Sequence, residues 1–202
     1  MLKCLNRLEE PTSGSISING QEVTGVRNSQ VRALRQSVAM IFQQFNLVPR
    51  FSVLKNVLMG RLSYLSSLKS ILGLFSETDL TLAKQNLKKV GLTEKMHMRT
   101  EQLSGGEQQR VAIARALTQQ PAVILADEPV ASLDPAMSAE VMAYLKAINL
   151  EMKMTVLCNL HLIPLAQRYS SRVIALRNGE LIFDGPSEAL DEDLIRKIYG
   201  SV

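Results

Sequence analysis

Three short apolar runs divide the chain into segments with different hydrophobic patterns. They are VAMIF at 38–42, AVILA at 122–126 and TVLC at 155–158. Runs of this length without alternating polar residues are typical of strands buried on both faces of a parallel sheet. Helical patterns, with apolar residues three and four positions apart, separate the runs. The alternation predicts an α/β fold in which helices cover both faces of a parallel sheet.

The first residues of the chain predict the last turns of a helix. Leu2, Leu5 and Leu8 recur at helical spacing, and the helix-ending residues Pro11 and Gly14 follow. We therefore expect the three leucines to lie on one side of a helix that ends before Pro11.

Two Asn-Gly pairs predict tight β-hairpins. One is Asn19-Gly20 within SISINGQEV, and the other is Asn178-Gly179 within RVIALRNGELIFDG. The segment between about 51 and 100 differs from both, because its apolar positions follow a helical period without a convincing strand. We interpret it as an all-helical insertion.

Chain length favours one domain, and the cysteine content favours a reducing compartment. A chain of 202 residues is long enough for one sizeable core, and its net charge of +4 is spread among acidic residues rather than gathered in a basic run. The charge pattern therefore permits a nucleic-acid partner but does not require one. Cys4 and Cys158 are far apart and predict neither a zinc site nor a disulfide. No stretch approaches the roughly 18 apolar residues of a membrane span, and no signal peptide is apparent, so we expect the chain in the cytosol.

Polar side chains follow each of the three apolar runs. Gln43 follows the first, Asp127 and Glu128 end the second, and His161 follows the third. The carboxyl ends of parallel strands meet at one edge of a sheet, where ligands bind. Adjacent acids there suit a division of labour in which Asp127 holds a divalent cation and Glu128 activates a water. Simpler readings remain open, namely capping residues after a strand and two acids that begin a turn.

The segment QLSGGEQQRVAIARAL at 102–117 predicts a glycine-containing loop that opens a helix. Ser104 and Glu107 have the spacing of a capping box, which explains helix initiation alone. Gly105 and Gly106 leave backbone N–H groups open to close approach at a positive helix end. The loop is therefore also a candidate phosphate cradle.

Taken together, these motifs resemble the nucleotide-binding subunit of ABC transporters. LSGGEQQR, the adjacent acids, SLD at 132–134 and the histidine after the third run stand in the order of that family. The resemblance implies a P-loop NTPase-like (RecA-like) core with a helical subdomain, and ATP and Mg²⁺ as cofactors. It assigns Gln43 as the Q-loop glutamine, Asp127 as the Walker B aspartate that binds metal together with Gln43, Glu128 as the catalytic base and His161 as the switch histidine.

The same resemblance assigns nucleotide-contacting roles to a second set of residues. They are Ser104, Gly105 and Gly106 as the signature loop and Asp134 as the D-loop aspartate. In this family two domains close face to face around two ATP molecules, so the signature loop acts on the partner's site. The implied division is one nucleotide-binding domain over 1–202, with a core of about 1–45 and 107–202 and a helical subdomain of about 46–106.

Longer stretches look like the ATP-binding subunits of bacterial phosphonate importers. These stretches include MIFQQFNLVPRFSVLKNVLMGRL, ILADEPVASLDP and FDGP. This likeness implies a second ATP-binding subunit in a homodimer and transmembrane permease subunits as partners. A periplasmic solute-binding protein would take part indirectly, and no nucleic acid is implied. The implied location is the inner face of the cell membrane.

One family motif is absent from the 202 residues, namely the Walker A loop G-x-x-x-x-G-K-[ST]. That loop supplies backbone donors and a lysine to the phosphates. We therefore expect an N-terminally truncated domain with a β-hairpin remnant at its start. Alone, such a chain would bind and hydrolyse ATP poorly.

Two other functions remain open at this point. One is a soluble ABC-type ATPase of DNA repair or translation, but Gln43 and Ser104 are too close in sequence for a long coiled coil, and only one set of motifs is present. The other is a non-catalytic remnant that at most lends its signature loop to a partner.

Overall fold

A computed structural model describes residues 1–199 of the chain, with the backbone alone at residues 28 and 29. The last three positions of the predicted domain, 200–202, lie outside the described residues. Nine α-helices run through the described part: α1 (Leu2–Leu5), α2 (Asn28–Ser37), α3 (Val53–Leu58), α4 (Ser67–Leu72), α5 (Glu77–Lys89), α6 (Gly105–Thr118), α7 (Pro135–Met152), α8 (Ile163–Tyr169) and α9 (Glu192–Tyr199).

The three apolar runs form the predicted parallel sheet. Its strands are β3 (Val38–Ile41), β4 (Val123–Asp127) and β5 (Thr155–Asn159), hydrogen-bonded in the order β3-β4-β5. In the register, Ile41 lies beside Ala126 and Asp127 lies beside Asn159. All three strands therefore end at the same edge.

Side chains alternate between the two faces of this sheet. On one face Ile41, Ile124 and Ala126 join a large apolar cluster with residues of α3, α5, α6 and α7. On the opposite face Val38 and Leu125 pack with residues of α1 and α2. Helices thus cover both faces, as the sequence pattern predicts, because strands buried on both sides need apolar partners on both sides.

Both Asn-Gly hairpins are confirmed. The first joins β1 (Ser17–Ile18) to β2 (Gln21–Glu22), and the second joins β6 (Arg172–Arg177) to β7 (Glu180–Pro186). Each turn has positive φ at both central residues, 51° and 75° in the first and 53° and 83° in the second. Asparagine and glycine tolerate this conformation better than other residues.

The prediction for the first helix is only partly right. Helix α1 ends at Leu5, and Arg7 takes a left-handed conformation with φ of 58°. The side chain of Asn6 accepts a hydrogen bond from the N–H of Leu8, which turns the chain away from the helix. Leu8 is 46% exposed and does not join the apolar side, so its assignment to the helix was wrong.

The segment between β3 and β4 contains helices α3 to α6, three short 3₁₀ turns (Met59–Tyr64, Thr93–Lys95 and Thr100–Gln102) and one isolated β-bridge. A fourth 3₁₀ turn, Ser187–Ala189, precedes α9. The buried side chains of α3 and α5 belong to the same cluster as those of the sheet. The core is therefore continuous, and the proposed boundary between core and helical subdomain stays a prediction. Within residues 1–199, no helix combines the length and the apolar character that crossing a membrane requires.

Candidate functional site

Asp127 is the last residue of β4 and is held by a neighbouring strand end. Asn159, the last residue of β5, donates a hydrogen bond from Nδ2 to Asp127 Oδ1 over 3.1 Å. No other hydrogen bond within residues 1–199 occupies the Asp127 carboxylate, so its second oxygen is available to a ligand. Sequence reasoning did not select Asn159, although its place directly after an apolar run was the same signal that selected Gln43.

Glu128 continues from the strand in a left-handed conformation with φ of 49°. A non-glycine residue keeps such a conformation only when its surroundings fix it. Here the N–H of Glu128 donates to the carbonyl of Asn159 over 3.2 Å, and the carbonyl of Glu128 accepts from the N–H of Ala131 over 3.2 Å. The turn directs the Glu128 side chain toward the loop that follows β5.

Glu128 and His161 form a direct pair. Glu128 Oε1 lies 2.5 Å from His161 Nε2, and a carboxylate only accepts, so the imidazole donates through Nε2. The Glu128 side chain is 24% exposed and that of His161 is 66% exposed. The pair therefore opens to solvent. No hydrogen bond within residues 1–199 occupies the second oxygen of Glu128, so it can accept a proton from a water molecule.

The loop that carries His161 is attached to the far end of the chain. Tyr199, the last residue of α9, donates a hydrogen bond from its hydroxyl to the carbonyl of His161 over 3.1 Å. No local sequence signal pointed to Tyr199, because it lies 38 positions after His161 in the sequence.

Gln43 lies two residues beyond the end of β3. Since Ile41 pairs with Ala126, the backbone of Gln43 reaches the same sheet edge as Asp127 and Glu128. Its side chain is exposed and takes part in none of the hydrogen bonds within residues 1–199. The structure thus places all four predicted strand-end residues at one edge, while the role of Gln43 stays a prediction.

A metal at this edge would find few charged ligands in the protein. In the described part of the chain, no group of three or more His, Cys, Asp or Glu side chains could hold an ion. Mg²⁺ commonly binds one or two protein oxygens and keeps waters and substrate phosphate oxygens as its other ligands. The carboxylate of Asp127 and the amide oxygen of Gln43 fit that pattern.

The predicted capping box is formed at the start of α6. Ser104 Oγ accepts from the N–H of Glu107 over 3.4 Å, and Glu107 Oε2 accepts from the N–H of Ser104 over 3.0 Å. Lys95 also pairs with Glu107, and the hydrogen bond from Lys95 lowers the pKa of that carboxyl group. Ser104 remains exposed, so the helix-capping role leaves it accessible to a ligand.

Gly106 has a packing role that the sequence did not reveal. A Cβ atom at Gly106 would lie 2.5 Å from Met137 Sδ and 3.2 Å from Met137 Cγ, which is too close. A Cβ at Gly105 would lie 3.4 Å from Leu133 Cδ2. Gly106 therefore lets the start of α6 pack against the segment around Asp134, whereas a Cβ at Gly105 would make only an ordinary van der Waals contact.

Asp134 lies on the same side of the molecule as this loop. It caps α7, accepting a hydrogen bond at Oδ1 from the N–H of Met137 over 2.9 Å, and Pro135 fills the first helical position. Through Leu133 and Met137, the Asp134 turn contacts both glycines. The predicted residues thus form two groups within one chain, the strand-end group and the Ser104–Asp134 group.

Comparison with protein families gives one domain description. The family described as ABC transporter matches residues 1–131. The chain is 54% identical over 201 residues to the phosphonates import ATP-binding protein PhnC of Bdellovibrio bacteriovorus, covering 99% of this chain and 77% of that protein. It is 50% identical over 200 residues to a protein of that name from Halalkalibacterium halodurans, covering 99% and 78%.

Solved structures with the same architecture are also ATP-binding cassettes. The cbiO1 protein of Clostridium perfringens, part of the ABC transporter complex cbiONQ, superposes with a TM-score of 0.82 at 26% identity, covering 97% of this chain and 76% of that one. A dimeric cassette in a post-hydrolysis state bound to ADP and Pi superposes with a TM-score of 0.77 at 32% identity, covering 94% and 80%.

Proposed function

The chain belongs to the ABC transporter family, and from that premise we propose that it is the ATP-hydrolysing subunit of an importer for phosphonate or a related oxyanion. The observation that carries the proposal is the 2.5 Å contact between Glu128 and His161 beside Asp127, at the edge where three parallel strands end. The choice of phosphonate is supported by the names of the relatives, since no residue of the site would contact the transported solute.

In the proposed reaction, Glu128 accepts a proton from the attacking water. His161 orients the Glu128 carboxylate through Nε2 and keeps one of its oxygens occupied. Asp127 and Gln43 are the residues that would hold Mg²⁺, which when bound neutralises charge on the transferred phosphoryl group. Asn159 fixes the Asp127 carboxylate by its hydrogen bond.

We propose that the Ser104–Asp134 group contacts ATP bound to a second copy of the chain. Ser104, Gly105 and Gly106 would present the positive end of α6 to ATP bound at the partner's strand-end group, with Asp134 beside them. The dimeric cassette among the similar structures supports this pairing. The further proposed partners are transmembrane permease subunits and, indirectly, a periplasmic solute-binding protein, with no nucleic acid. Their proposed location is the cytoplasmic face of the membrane.

A substitution in the native chromosomal gene tests this function. Glu128→Gln removes the base while keeping the shape of the side chain, and Glu151→Gln removes an exposed acid on α7. With a phosphonate as sole phosphorus source, we expect growth to stop with Glu128→Gln and to continue with Glu151→Gln. Both strains should grow normally on inorganic phosphate. Normal growth of the Glu128→Gln strain on phosphonate would refute the proposal for this substrate.

A separate proposal concerns a polypeptide of these 202 residues on its own. Because it contains no G-x-x-x-x-G-K-[ST] segment, we infer that it hydrolyses ATP far below the roughly 1–10³ s⁻¹ of ordinary enzymes. Its exposed Ser104 would still allow it to lend a signature loop to another subunit. Turnover of the purified polypeptide within that range, abolished by Glu128→Gln, would contradict this inference.

A further inference from the structure

Arg115 connects α6 to the turn that follows Gln43. Its Nη1 donates to the carbonyl of Asn46 over 2.5 Å, and its Nη2 donates to the carbonyl of Phe45 over 2.9 Å. None of the ion pairs within residues 1–199 includes this guanidinium. Burial lowers its pKa. The planar guanidinium of a half-buried arginine can hold two backbone carbonyls in a fixed geometry, so a structural role is indicated for Arg115.

The turn that Arg115 holds has an unfavourable backbone. Phe45 and Asn46 are consecutive non-glycine residues with φ of 57° and 49°. A left-handed conformation is especially costly for a bulky residue such as Phe45 and persists only when neighbouring groups fix it. The turn has backbone hydrogen bonds of its own, from the N–H of Phe45 to the carbonyl of Phe42 over 3.2 Å and from the N–H of Asn46 to the carbonyl of Gln44 over 2.6 Å. The carbonyls of Phe45 and Asn46 accept no other hydrogen bond in the described part of the chain, so Arg115 is the group that joins them to α6.

The same turn contacts the other end of α6. A Cβ atom at Gly105 would lie 4.0 Å from Cζ of the Phe45 ring, so the ring lies against the signature loop. Arg115 and Gly105 are ten residues apart, about 15 Å along a helix. Helical side chains point toward the N-terminus, which brings the Arg115 fork back toward the turn. The turn is thus attached to α6 at two points.

We propose that Arg115 is a positioning residue that fixes the Phe45–Asn46 turn on α6, so that Gln43 and the signature loop Ser104–Gly106 keep one relative position. The proposal deepens the function above and rests on it, because Gln43 and Ser104 are assigned to opposite nucleotide sites of the dimer. Arg115 touches no substrate and acts through the residues of the turn.

A substitution of Arg115 by lysine is the primary test. Lysine keeps the positive charge but lacks the planar fork that reaches two carbonyls. Arg7→Lys is the control, because Arg7 also donates to two backbone carbonyls, those of Val23 and Val26, on the other side of the sheet. Its side chain is more buried, with 6% exposed, and also pairs with Glu10. It controls for loss of a comparable clamp elsewhere in the fold.

Two measurements on the purified protein without nucleotide report on the Phe45–Asn46 turn and on the signature loop. Amide hydrogen exchange at Phe45 and Asn46 reports on the turn, and the ε-methyl NMR signal of Met137, which packs on Gly106, reports on the signature loop. With Arg115→Lys we expect exchange at least tenfold faster and a shifted Met137 signal, while the buried Met142 signal is unchanged. Arg7→Lys should leave all three at wild-type values.

The result also has a functional readout in the native gene. With phosphonate as sole phosphorus source, Arg115→Lys should slow growth at least twofold and Arg7→Lys should not. An unchanged Met137 signal, or normal growth despite a shifted signal, would overturn the proposal. A Met142 signal that shifts together with that of Met137 would also overturn it, because Arg115 would then stabilise the whole fold rather than position the turn. Failure of the proposed function is seen separately, as normal growth of the Glu128→Gln strain.

Discussion

Gly60 occupies a position where even a methyl group has no room. A Cβ atom added there would overlap the carbonyl oxygen of Arg115 and lie 3.2 Å from the backbone nitrogen of Gln119, so the obstacle is the backbone of α6 and its end. Because backbone cannot move aside as a side chain can, we expect Gly60→Ala to lower the free energy of unfolding by about 2 kcal/mol. Urea denaturation monitored by circular dichroism measures the change.

Gly185→Ala provides the control for this prediction. A Cβ there would meet only the ring of Phe183, at 2.8 Å, and a side chain can rotate away. Its effect should be smaller than that of Gly60→Ala. Equal losses from the two substitutions would show that backbone contact at Gly60 is not the cause.

The lowered pKa of the Asp79 carboxyl group predicts that the stability of the protein depends on pH. Burial raises the pKa of its carboxyl group, but hydrogen bonds from Ser76 and Arg61 outweigh burial and hold the pKa below the ordinary value of 3.8. Arg61 Nε lies 2.7 Å from Asp79 Oδ1. A group whose folded pKa is lowered stabilises the protein above its unfolded pKa, and that contribution is lost as the pH falls through the folded pKa.

We therefore expect Asp79→Asn to destabilise the protein by about 2 kcal/mol at pH 7, since it removes a charge-assisted hydrogen bond. The difference from wild type should shrink as the pH falls below 3.8. Urea midpoints between pH 7 and pH 3 give the measurement. Asp193→Asn, at a side chain that is 94% exposed, should match wild type throughout. A difference independent of pH would contradict the role of the ionised carboxylate.

Single residues of the site differ in how readily their sequence positions reveal them. Glu128 and His161 could be predicted because the strand-end positions coincide with the order of LSGGEQQR, the adjacent acids and SLD in the resembling family, whereas a polar residue after an apolar run would by itself also fit a cap. Asn159 carried the same signal, but an amide after a strand is also a common capping residue. Tyr199 could not be predicted, because within residues 1–199 it is joined to the site by a hydrogen bond to a carbonyl that is distant in sequence.

At the scale of elements, α3 is fastened to the loop before it by one buried side chain. Asn56 is fully buried, accepts from the N–H of Val48 over 2.8 Å and donates to the carbonyls of Val48 and Ser52 over 3.1 and 3.2 Å. It also donates to Thr100 Oγ1, four residues before Ser104. Replacing it would leave several polar groups without partners.

We expect Asn56→Ala to lower the free energy of unfolding by about 3 kcal/mol, because each unsatisfied polar group carries its own desolvation cost. The exposed Asn149, with one hydrogen bond to the carbonyl of Met154, is the control, and Asn149→Ala should cost less than half as much. Chemical denaturation compares the two variants. Similar losses would mean that the network around Asn56 does not hold the loop to α3.

Elements were predictable where pattern and geometry agree. Strands β3 to β5 and both hairpins follow from uninterrupted apolar runs and Asn-Gly turns, which have few alternative structures. Helix α1 is shorter than its leucine spacing predicts, because the Asn6 side chain and the left-handed Arg7 end it before the apolar pattern stops. Gly106 was interpreted only as part of a phosphate cradle, since its contact with Met137 joins elements that are distant in sequence.

At the scale of the whole molecule, one continuous apolar cluster connects the sheet with the helices of the segment between β3 and β4. The sequence distinguished these regions by their hydrophobic periods, but period does not show how segments pack. Which motif residues meet was therefore only partly predictable. Shared strand ends implied that Gln43, Asp127 and Glu128 lie at one edge, whereas the contact of Phe45 with the start of α6 depends on how the loops fold back.

The contact between α9 and the site makes the last prediction, because it joins the end of the described chain to its central sheet. The Tyr199 hydroxyl donates to the carbonyl of His161 over 3.1 Å, and the His161 ring pairs with Glu128. Tyr199→Phe removes that one hydrogen bond, worth about 1 kcal/mol, and keeps the aromatic ring, so the fold should remain intact while the loop gains freedom.

The imidazole signals in ¹H–¹³C NMR report on the freedom of this loop directly, since the chain has only two histidines. We expect the His161 signal to shift and broaden in Tyr199→Phe while the His97 signal stays in place. Tyr64→Phe, which removes an equivalent hydroxyl bond to the carbonyl of Gln119, should leave both signals unchanged. An unaltered His161 signal in Tyr199→Phe would show that α9 does not restrain the histidine loop.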